Sequence, residues 1–248
     1  MVTTLQEIVE IKEKSLKEII PKEQIISITN LEIETYYYDE REYLKRKYYN
    51  LSNIETNLFK RTFKNSTTVN DSDKANKESF ERYCANFNKC RKDGLGILMM
   101  GGRGTGKSYY SDCIYNKLSK EYIVYRTTLL DVFLRFKETY NPDNKTNINA
   151  LIKELKECDL IIFDDIGSEN ISETWGEETL YNLINSLTIN NVSIIFSTNL
   201  SVQDLKSHLS VKKDEKLLDR IREKCKLFLF EWESRRMETY KKEFEELY

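Results

Sequence analysis

Short apolar runs, each closed by polar residues, recur along the C-terminal part of the chain. Five of them have the length and composition of β-strands, namely "GILMMG", "YIVYR", "LIIFDD", "VSIIFSTN" and "KLFLFEW". Amphipathic stretches with helical spacing separate most of these runs, for example Ser108 to Lys120 and Glu178 to Thr188. Apolar strands that alternate with helices are typical of a parallel sheet covered on both faces. We therefore predict an α/β fold with a five-stranded parallel sheet, whose ligands bind at the carboxyl ends of the strands.

The N-terminal part of the chain has the pattern of helices. Apolar residues ahead of Pro21 fall on one helical stripe, and a second helix, rich in Tyr and charge, is predicted from Glu34 to Tyr49. These helices either pack on each other as a small bundle or form a partner-docking module with Tyr and Arg anchors. We divide the chain into a small helical N-terminal segment, residues 1–50, and an α/β domain, residues 51–248.

Composition narrows the classes of function. The 248 residues are 40% apolar and 32% charged, as expected for a soluble globular protein, and the net charge is −2. This charge gives no global attraction to nucleic acid, so any such contact requires a local basic patch. No apolar run reaches the roughly 20 residues that span a bilayer, so we expect no membrane association. Five scattered cysteines without metal-ligand spacing indicate reduced thiols and a cytoplasmic location.

The segment "GGRGTGKS" fits the GxxxxGK[ST] pattern of a phosphate-binding loop, with an apolar strand before it and a helix after it. Its glycines allow backbone amides to surround phosphate oxygens, and the helix directs its positive end at them. We expect Lys107 to neutralise the β- and γ-phosphates of ATP and Ser108 to bind Mg²⁺. The nucleotide-binding residues predicted from this loop are Gly101, Gly102, Arg103, Gly104, Thr105, Gly106, Lys107 and Ser108.

Polar side chains end two further apolar strands. Asp164 and Asp165 follow the run "LIIF", and Asn199 closes "VSIIFSTN". A P-loop protein needs a carboxylate near this position to hold Mg²⁺ through water, which we assign to Asp164, whereas Asp165 is placed to polarise the attacking water. Alternatively, one of the two aspartates caps the loop that follows the strand. The amide of Asn199 can hydrogen-bond the γ-phosphate or the attacking water.

The P-loop, "LIIFDDIGSE", "ETWGEETLYNLIN" and "IIFSTNLS" together resemble the AAA+ ATPases of the DnaC/DnaI helicase-loader and IstB group. The resemblance extends from about Leu58 to Arg236, and the second Walker B residue of this group is typically Asp. It implies that Asp164 is the Mg²⁺-site carboxylate, that Asp165 activates water and that Asn199 is sensor 1. It also implies an AAA+ ATPase domain without a large helical lid.

Two arginines extend the resemblance. "KLLDRIREKC" resembles the family segment with the arginine finger and makes Arg220 the matching position, from which a side chain reaches the γ-phosphate of a neighbouring subunit and so implies self-association. "WESRRM" resembles the closing pattern of the family and makes Arg236 the sensor-2 candidate, with Arg235 as an adjacent competitor. The alternative for each arginine is a solvated helix face.

The resemblance implies a slow ATPase, regulated by DNA or by a partner, that loads a hexameric replicative helicase onto single-stranded DNA. Residues 1–50 would dock the helicase. The alternative is an IstB-like transposition accessory ATPase that acts with a transposase on duplex DNA. A third possibility is an adaptor that binds ATP with negligible turnover, but the retained carboxylates and Arg220 oppose it.

The helix "LLDVFLRFKETY" follows the second strand, where initiator-type AAA+ proteins have a DNA-facing helix. On this basis Arg126, Arg135 and Lys137 are candidates for phosphate contacts, and Phe133 or Phe136 for base stacking. The alternative is that both Phe side chains belong to the core and the cations are solvated.

Overall fold

The computed structural model describes residues 40–54, 57–141, 147–167, 175–209 and 216–236. The helix predicted ahead of Pro21 lies outside the described residues. Among the described helices, none is long and apolar enough to cross a bilayer. In chain order the elements are α1 (Glu40–Leu51), a 3₁₀ turn (Leu58–Lys60), α2 (Asp71–Ala85), α3 (Phe87–Cys90), β1 (Gly96–Gly101), α4 (Lys107–Leu118), β2 (Val124–Thr127), α5 (Leu129–Glu138), α6 (Ile148–Leu155), β3 (Leu160–Ile166), α7 (Trp175–Ile189), β4 (Ser193–Thr198), α8 (Val202–Leu209), α9 (Lys216–Lys224) and β5 (Cys225–Phe230).

The five strands form one sheet in the order β2-β3-β4-β1-β5, and every neighbouring pair is parallel. All five strands lie where the apolar runs predicted them. The predicted α/β fold with a five-stranded parallel sheet is therefore confirmed. Because β3, β4 and β1 are neighbours, their carboxyl ends form one continuous edge, and the polar residues that end these strands are brought together.

Helices cover both faces of the sheet. Successive residues of a strand point to opposite faces, so Leu98 and Met100 of β1 belong to one core and Ile97 and Met99 to the other. In the first core the stacked rings of Phe163 and Phe196 lie 5.7 Å apart. The side chains of α5, α6, α7 and α9 pack on that face, and those of α2 and α4 pack on the opposite face. Burial on both faces explains why the strands are continuously apolar.

Helix α1 packs against the edge strand β2. The ring of Tyr48 is fully buried, lies 5.4 Å from that of Tyr125, and its hydroxyl donates a hydrogen bond to the carbonyl of Glu154. Immediately after α1, the amide of Asn53 donates to the carbonyl of Arg126 at 3.0 Å. Residues 40–49 of the helix predicted from Glu34 to Tyr49 are thus described as helical, and the helix ends at Leu51.

Candidate active site

The carboxyl ends of β1, β3 and β4 border a cleft of about 860 Å³. This volume suits a small molecule of nucleotide size. Most of the lining is polar or charged, as phosphate binding requires. The lining residues are Arg61, Asn65, Thr67, Val69, Arg103, Gly104, Gly106, Lys107, Ser108, Tyr109, Asp164, Asp165, Ser197, Asn199, Arg235 and Arg236.

The P-loop connects β1 to α4 and ends in glycine for a conformational reason. Gly106, the residue before the helix, has a left-handed φ of 108°. Gly104 has φ 78°, and a Cβ added there would lie 2.1 Å from the hydroxyl of Ser234. Thr105 is buried and its hydroxyl donates to the carbonyl of Gly102 at 2.9 Å. The loop therefore presents its backbone, together with the N-terminus of α4, to the cleft.

The ammonium of Lys107 uses all three of its N–H donors, two within the P-loop and one with Asn199. Its ammonium donates to the carbonyls of Gly101 and Gly102, each at 2.7 Å, and to Oδ1 of Asn199 at 2.8 Å. Burial lowers the pKa of Lys107 to about 8, although the charges of Asp165 and Asp164 oppose the shift. A phosphate in the cleft adds negative charge and therefore stabilises the protonated ammonium.

Asp164 is surrounded by donors. Its Oδ1 accepts from Ser108 at 3.1 Å and from the hydroxyl of Ser197, and its Oδ2 accepts from Nη2 of Arg126 at 2.8 Å. The Ser108 hydroxyl and the Asp164 carboxylate are hard oxygen donors side by side at the cleft floor, which is the donor set that Mg²⁺ takes alongside water and phosphate. These two residues fit the metal predicted from the sequence.

Asp165 has a φ of 57°, the left-handed region. Phe163 pairs with Phe196 and Ile166 with Thr198, so β3 advances three residues where β4 advances two. The extra residue is a bulge, a device that redirects side chains next to active sites. Asp and Asn tolerate a left-handed backbone better than longer or branched residues do. The backbone thus favours Asp or Asn here over a longer acidic side chain such as Glu.

Asn199 connects the lysine to this carboxylate. Its Oδ1 accepts from Lys107, and its Nδ2 donates to Oδ1 of Asp165 at 2.5 Å. The amide of Asp165 also donates to Ser197 Oγ at 2.9 Å. Because one partner is a donor and the other an acceptor, the orientation of the Asn199 amide is fixed. A ligand that draws Lys107 away changes the hydrogen bonding of Asp165 through Asn199.

The segment after β5 closes over the P-loop. The indole N–H of Trp232 donates to the carbonyl of Thr105 at 2.8 Å, and the amide of Arg235 donates to that of Gly104 at 3.0 Å. The guanidinium of Arg235 forms an ion pair with the fully buried Asp73. Arg236 lines the cleft and has no hydrogen-bond or ion-pair partner among the described residues. Of the two adjacent arginines, Arg236 is therefore the one available to a ligand.

Arg220 lies apart from the cleft. It is exposed on α9, and its Nη1 is 3.2 Å from a carboxylate oxygen of Glu223. Arg220 is not among the residues that line the cleft of the same chain. The role of Arg220 as an arginine finger stays a prediction.

Three of the predicted DNA contacts are wrong. Phe133 and Phe136 belong to the core and are only 6% and 0% exposed. Neither side chain can therefore stack on a base. Arg126 is 5% exposed and forms ion pairs beneath the cleft. Arg135 lies 3.6 Å from Glu154, and Lys137 is exposed. The helical spacing was sound, but it places these two aromatic residues on the face that meets the sheet.

Several site residues were missed in the sequence. Arg126 ends the predicted strand "YIVYR" just as Asp164 ends "LIIFDD", and a charged residue at the end of an apolar strand was the available signal. Asp112 on α4 and Ser197 on β4 complete the surroundings of Asp164. The cleft rim from Arg61 to Val69 gave no signal, because a polar loop has no periodicity.

A parallel sheet in this strand order, with a P-loop and strand-end carboxylates around one cleft, defines an ATP-binding protein of the AAA+ class. The sequence profile of the family described as IstB-like ATP binding protein matches residues 40–243. The chain therefore belongs to this family. The resemblance to the DnaC/DnaI helicase-loader and IstB group is confirmed.

Two kinds of relative support this assignment. The replicative helicase loader DnaC of Buchnera aphidicola subsp. Baizongia pistaciae (strain Bp) is 27% identical over 168 residues, which are 66% of this chain and 64% of that relative. The chain thus spans less than two thirds of that relative's length. The crystal structure of the DnaC helicase loader matches with a TM-score of 0.60 and 21% identity, covering 71% of this chain and 99% of that one. The structure of AMPPCP-bound DnaA from Aquifex aeolicus matches with a TM-score of 0.55 and 21% identity. The match covers 75% of this chain and 55% of the DnaA chain. At these identities the structural matches show the fold.

Proposed function

We propose that the cleft binds ATP with Mg²⁺ and hydrolyses it to ADP and phosphate. The observation that carries this proposal is the contact chain from Lys107 through Asn199 to Asp165, next to Asp164 and Ser108. In the bound state Lys107 moves its hydrogen bonds from the loop carbonyls to phosphate oxygens. Ser108 and, through water, Asp164 would hold Mg²⁺, which would supply positive charge to the phosphates.

Asp165 accepts a proton from, or polarises, the water that attacks the γ-phosphate, and Asn199 orients this water or the phosphate. Arg236, which lines the cleft beside Gly104, binds phosphate. Arg220 supplies positive charge to the site of a neighbouring copy, so turnover depends on self-association. The contact of Asp165 with Asn199, which must rearrange before water is activated, favours slow and regulated turnover.

We further propose that ATP drives loading of a hexameric replicative helicase onto single-stranded DNA in the cytoplasm. The similarity to the replicative helicase loader DnaC supports this function. Residues 1–50 are proposed to dock the helicase. Helix α1 belongs to the same compact unit as the ATPase domain and packs on the edge strand β2.

Capture of the partner from the native host tests this function. The tagged full-length chain is expected to retain the hexameric replicative helicase, and a chain without residues 1–39 is expected to lose it while it keeps nucleotide binding. The shortened chain retains α1, whose Tyr48 belongs to the core, so folding is preserved. Equal capture by both chains would contradict docking through the N-terminal segment.

The alternative is an accessory ATPase that acts with a transposase on duplex DNA, which the IstB-like family description favours. The same capture experiment separates the two functions, because recovery of a transposase in place of the helicase supports the alternative. Stimulation of ATP turnover by duplex rather than single-stranded DNA would support it independently.

A further inference from the structure

Arg126, at the end of β2, has its guanidinium beneath the cleft. Nη2 donates to Oδ2 of Asp164 at 2.8 Å, and Nε lies 2.7 Å from Oδ1 of Asp112 as an ion pair without the alignment of a hydrogen bond. Nη1 donates to the carbonyl of Asn53 at 2.9 Å. One planar group therefore contacts three different elements of the fold. Lysine, with a single charged nitrogen, cannot reproduce this fork.

These charges are buried and alternate in sign. Arg126 is 5% exposed, Asp164 8% and Asp112 0%, and a second arginine, Arg61, lies 2.5 Å from the other oxygen of Asp112. Burial raises the pKa of Asp112, whereas the positive charges of Arg126 and Arg61 lower it. Buried charges of this kind are retained only with good geometry, so each member restrains the position of the next.

The geometry divides the two oxygens of Asp164 between different tasks. Arg126 occupies Oδ2, and the hydroxyls of Ser108 and Ser197 face Oδ1. Rotation of the carboxylate would break the contact with Arg126. The contact between Oδ2 and Arg126 consequently fixes the position of Oδ1, the oxygen next to Ser108 at the proposed metal position.

The same guanidinium is bound to the segment that joins α1 to the sheet. The hydroxyl of Ser52 accepts from the amide of Arg126 at 3.0 Å and donates to the carbonyl of Tyr48, the last buried ring of α1. With the two contacts of Asn53, this segment holds both the backbone and the side chain of Arg126. A displacement of α1 therefore reaches Asp164 through a single residue.

We propose that Arg126 is a positioning residue for Asp164, and that through it the segment Ser52–Asn53 controls the affinity of the site for Mg²⁺. The inference rests on the proposed Mg²⁺-ATP site and gives its regulation: movement of α1, whose residues belong to the proposed helicase-docking segment 1–50, tunes the metal site. Contacts behind a metal ligand commonly change metal affinity by about 10- to 100-fold.

Mg²⁺ titration of fluorescent ATP analogue binding to the full chain tests this proposal. Arg126→Lys is expected to raise the Mg²⁺ concentration at half-effect by about tenfold, and to leave analogue affinity in EDTA unchanged. Ser52→Ala should also raise the Mg²⁺ concentration at half-effect, but by a smaller factor. Thr188→Val is the matched control, since Thr188 is buried and, like Ser52, donates to the carbonyl four residues earlier. Thr188→Val should lower the melting temperature and leave the Mg²⁺ concentration at half-effect unchanged.

A second pair of variants covers the possibility that Arg126→Lys does not fold. Arg126→Met with Asp112→Asn removes one charge of each sign and should show the same rise. In an Asp164→Asn background, Arg126→Lys should produce no additional shift. An unchanged Mg²⁺ dependence in folded Arg126 variants, or equal loss of affinity with and without Mg²⁺, overturns the inference but leaves the ATP site intact. A wild-type chain without Mg²⁺-dependent binding overturns the proposed site and the inference together.

Discussion

Asp165 has a side chain that the chemistry requires and a backbone conformation that few residues accept. Its φ of 57° follows from the bulge in β3, and its carboxylate is held by Asn199. Asparagine tolerates the same backbone, so Asp165→Asn separates folding from chemistry.

We expect Asp165→Asn to retain ATP binding and the wild-type melting temperature, but to reduce hydrolysis by about 100-fold or more because the base is lost. Phosphate release and calorimetric titration measure the two quantities. Turnover equal to wild type would show that Asp165 only caps the loop after β3.

Lys107 leads to a pH dependence of a definite sign. Its pKa is about 8 in the free protein, and bound phosphates raise it, so binding takes up a proton when Lys107 is neutral beforehand. ATP affinity should therefore be nearly constant below about pH 8 and fall above it, by up to about tenfold per pH unit.

Calorimetry at pH 8 in two buffers of different ionisation enthalpy should detect this proton uptake. Lys107→Arg carries a permanent charge and is the control that should show none. An affinity that stays constant up to pH 10 would contradict the low pKa.

At the scale of elements, the segment after β5 holds the P-loop in shape. Trp232 and Arg235 bind its carbonyls, and Ser234 lies against Gly104. Gly104→Ala forces a Cβ into this contact at a positive φ, which should destabilise the protein by about 1–3 kcal/mol.

Gly102→Ala is the matched control, because an added Cβ there meets only Thr105 Cγ2 at 3.7 Å, an ordinary contact. Thermal unfolding without nucleotide measures both variants. Equal melting temperatures for the two would show that the contact between Ser234 and Gly104 does not restrain the loop.

The sequence predicted elements and motif residues better than it predicted their neighbours. The strand "LIIFDD" and the P-loop were recognised because their patterns are local. Arg126 was a candidate for DNA contact because it precedes the helix after the second strand. Its ion pair with Asp164 was not predicted, because Asp164 is on the neighbouring strand β3 and no local pattern gives the strand order. The orientation of α5 was left open between a DNA-facing and a core-facing reading for the same reason. Phe133 and Phe136 face the sheet, whereas Leu130 and Leu134 are exposed, a choice that only packing determines.

At the scale of the whole molecule, Arg220 is the residue that connects copies of the chain in our proposal. Arg220→Ala and Asp165→Asn should each be nearly inactive alone. A mixture should recover activity, because a subunit with intact Asp165 then receives Arg220 from its neighbour. Arg222, exposed on the same helix, provides the control substitution Arg222→Ala, which should keep wild-type turnover. A mixture as inactive as its components would exclude a finger acting between subunits.

The most direct test of the proposed function is transfer of the host's hexameric replicative helicase onto a closed circle of single-stranded DNA, measured by co-sedimentation. A closed circle offers no end to thread, so transfer requires a loader. We predict transfer that depends on this chain and on ATP, and that fails with Asp165→Asn although the helicase is still bound. Transfer that is equal without the chain, or activity only on duplex DNA with a transposase, would contradict the account.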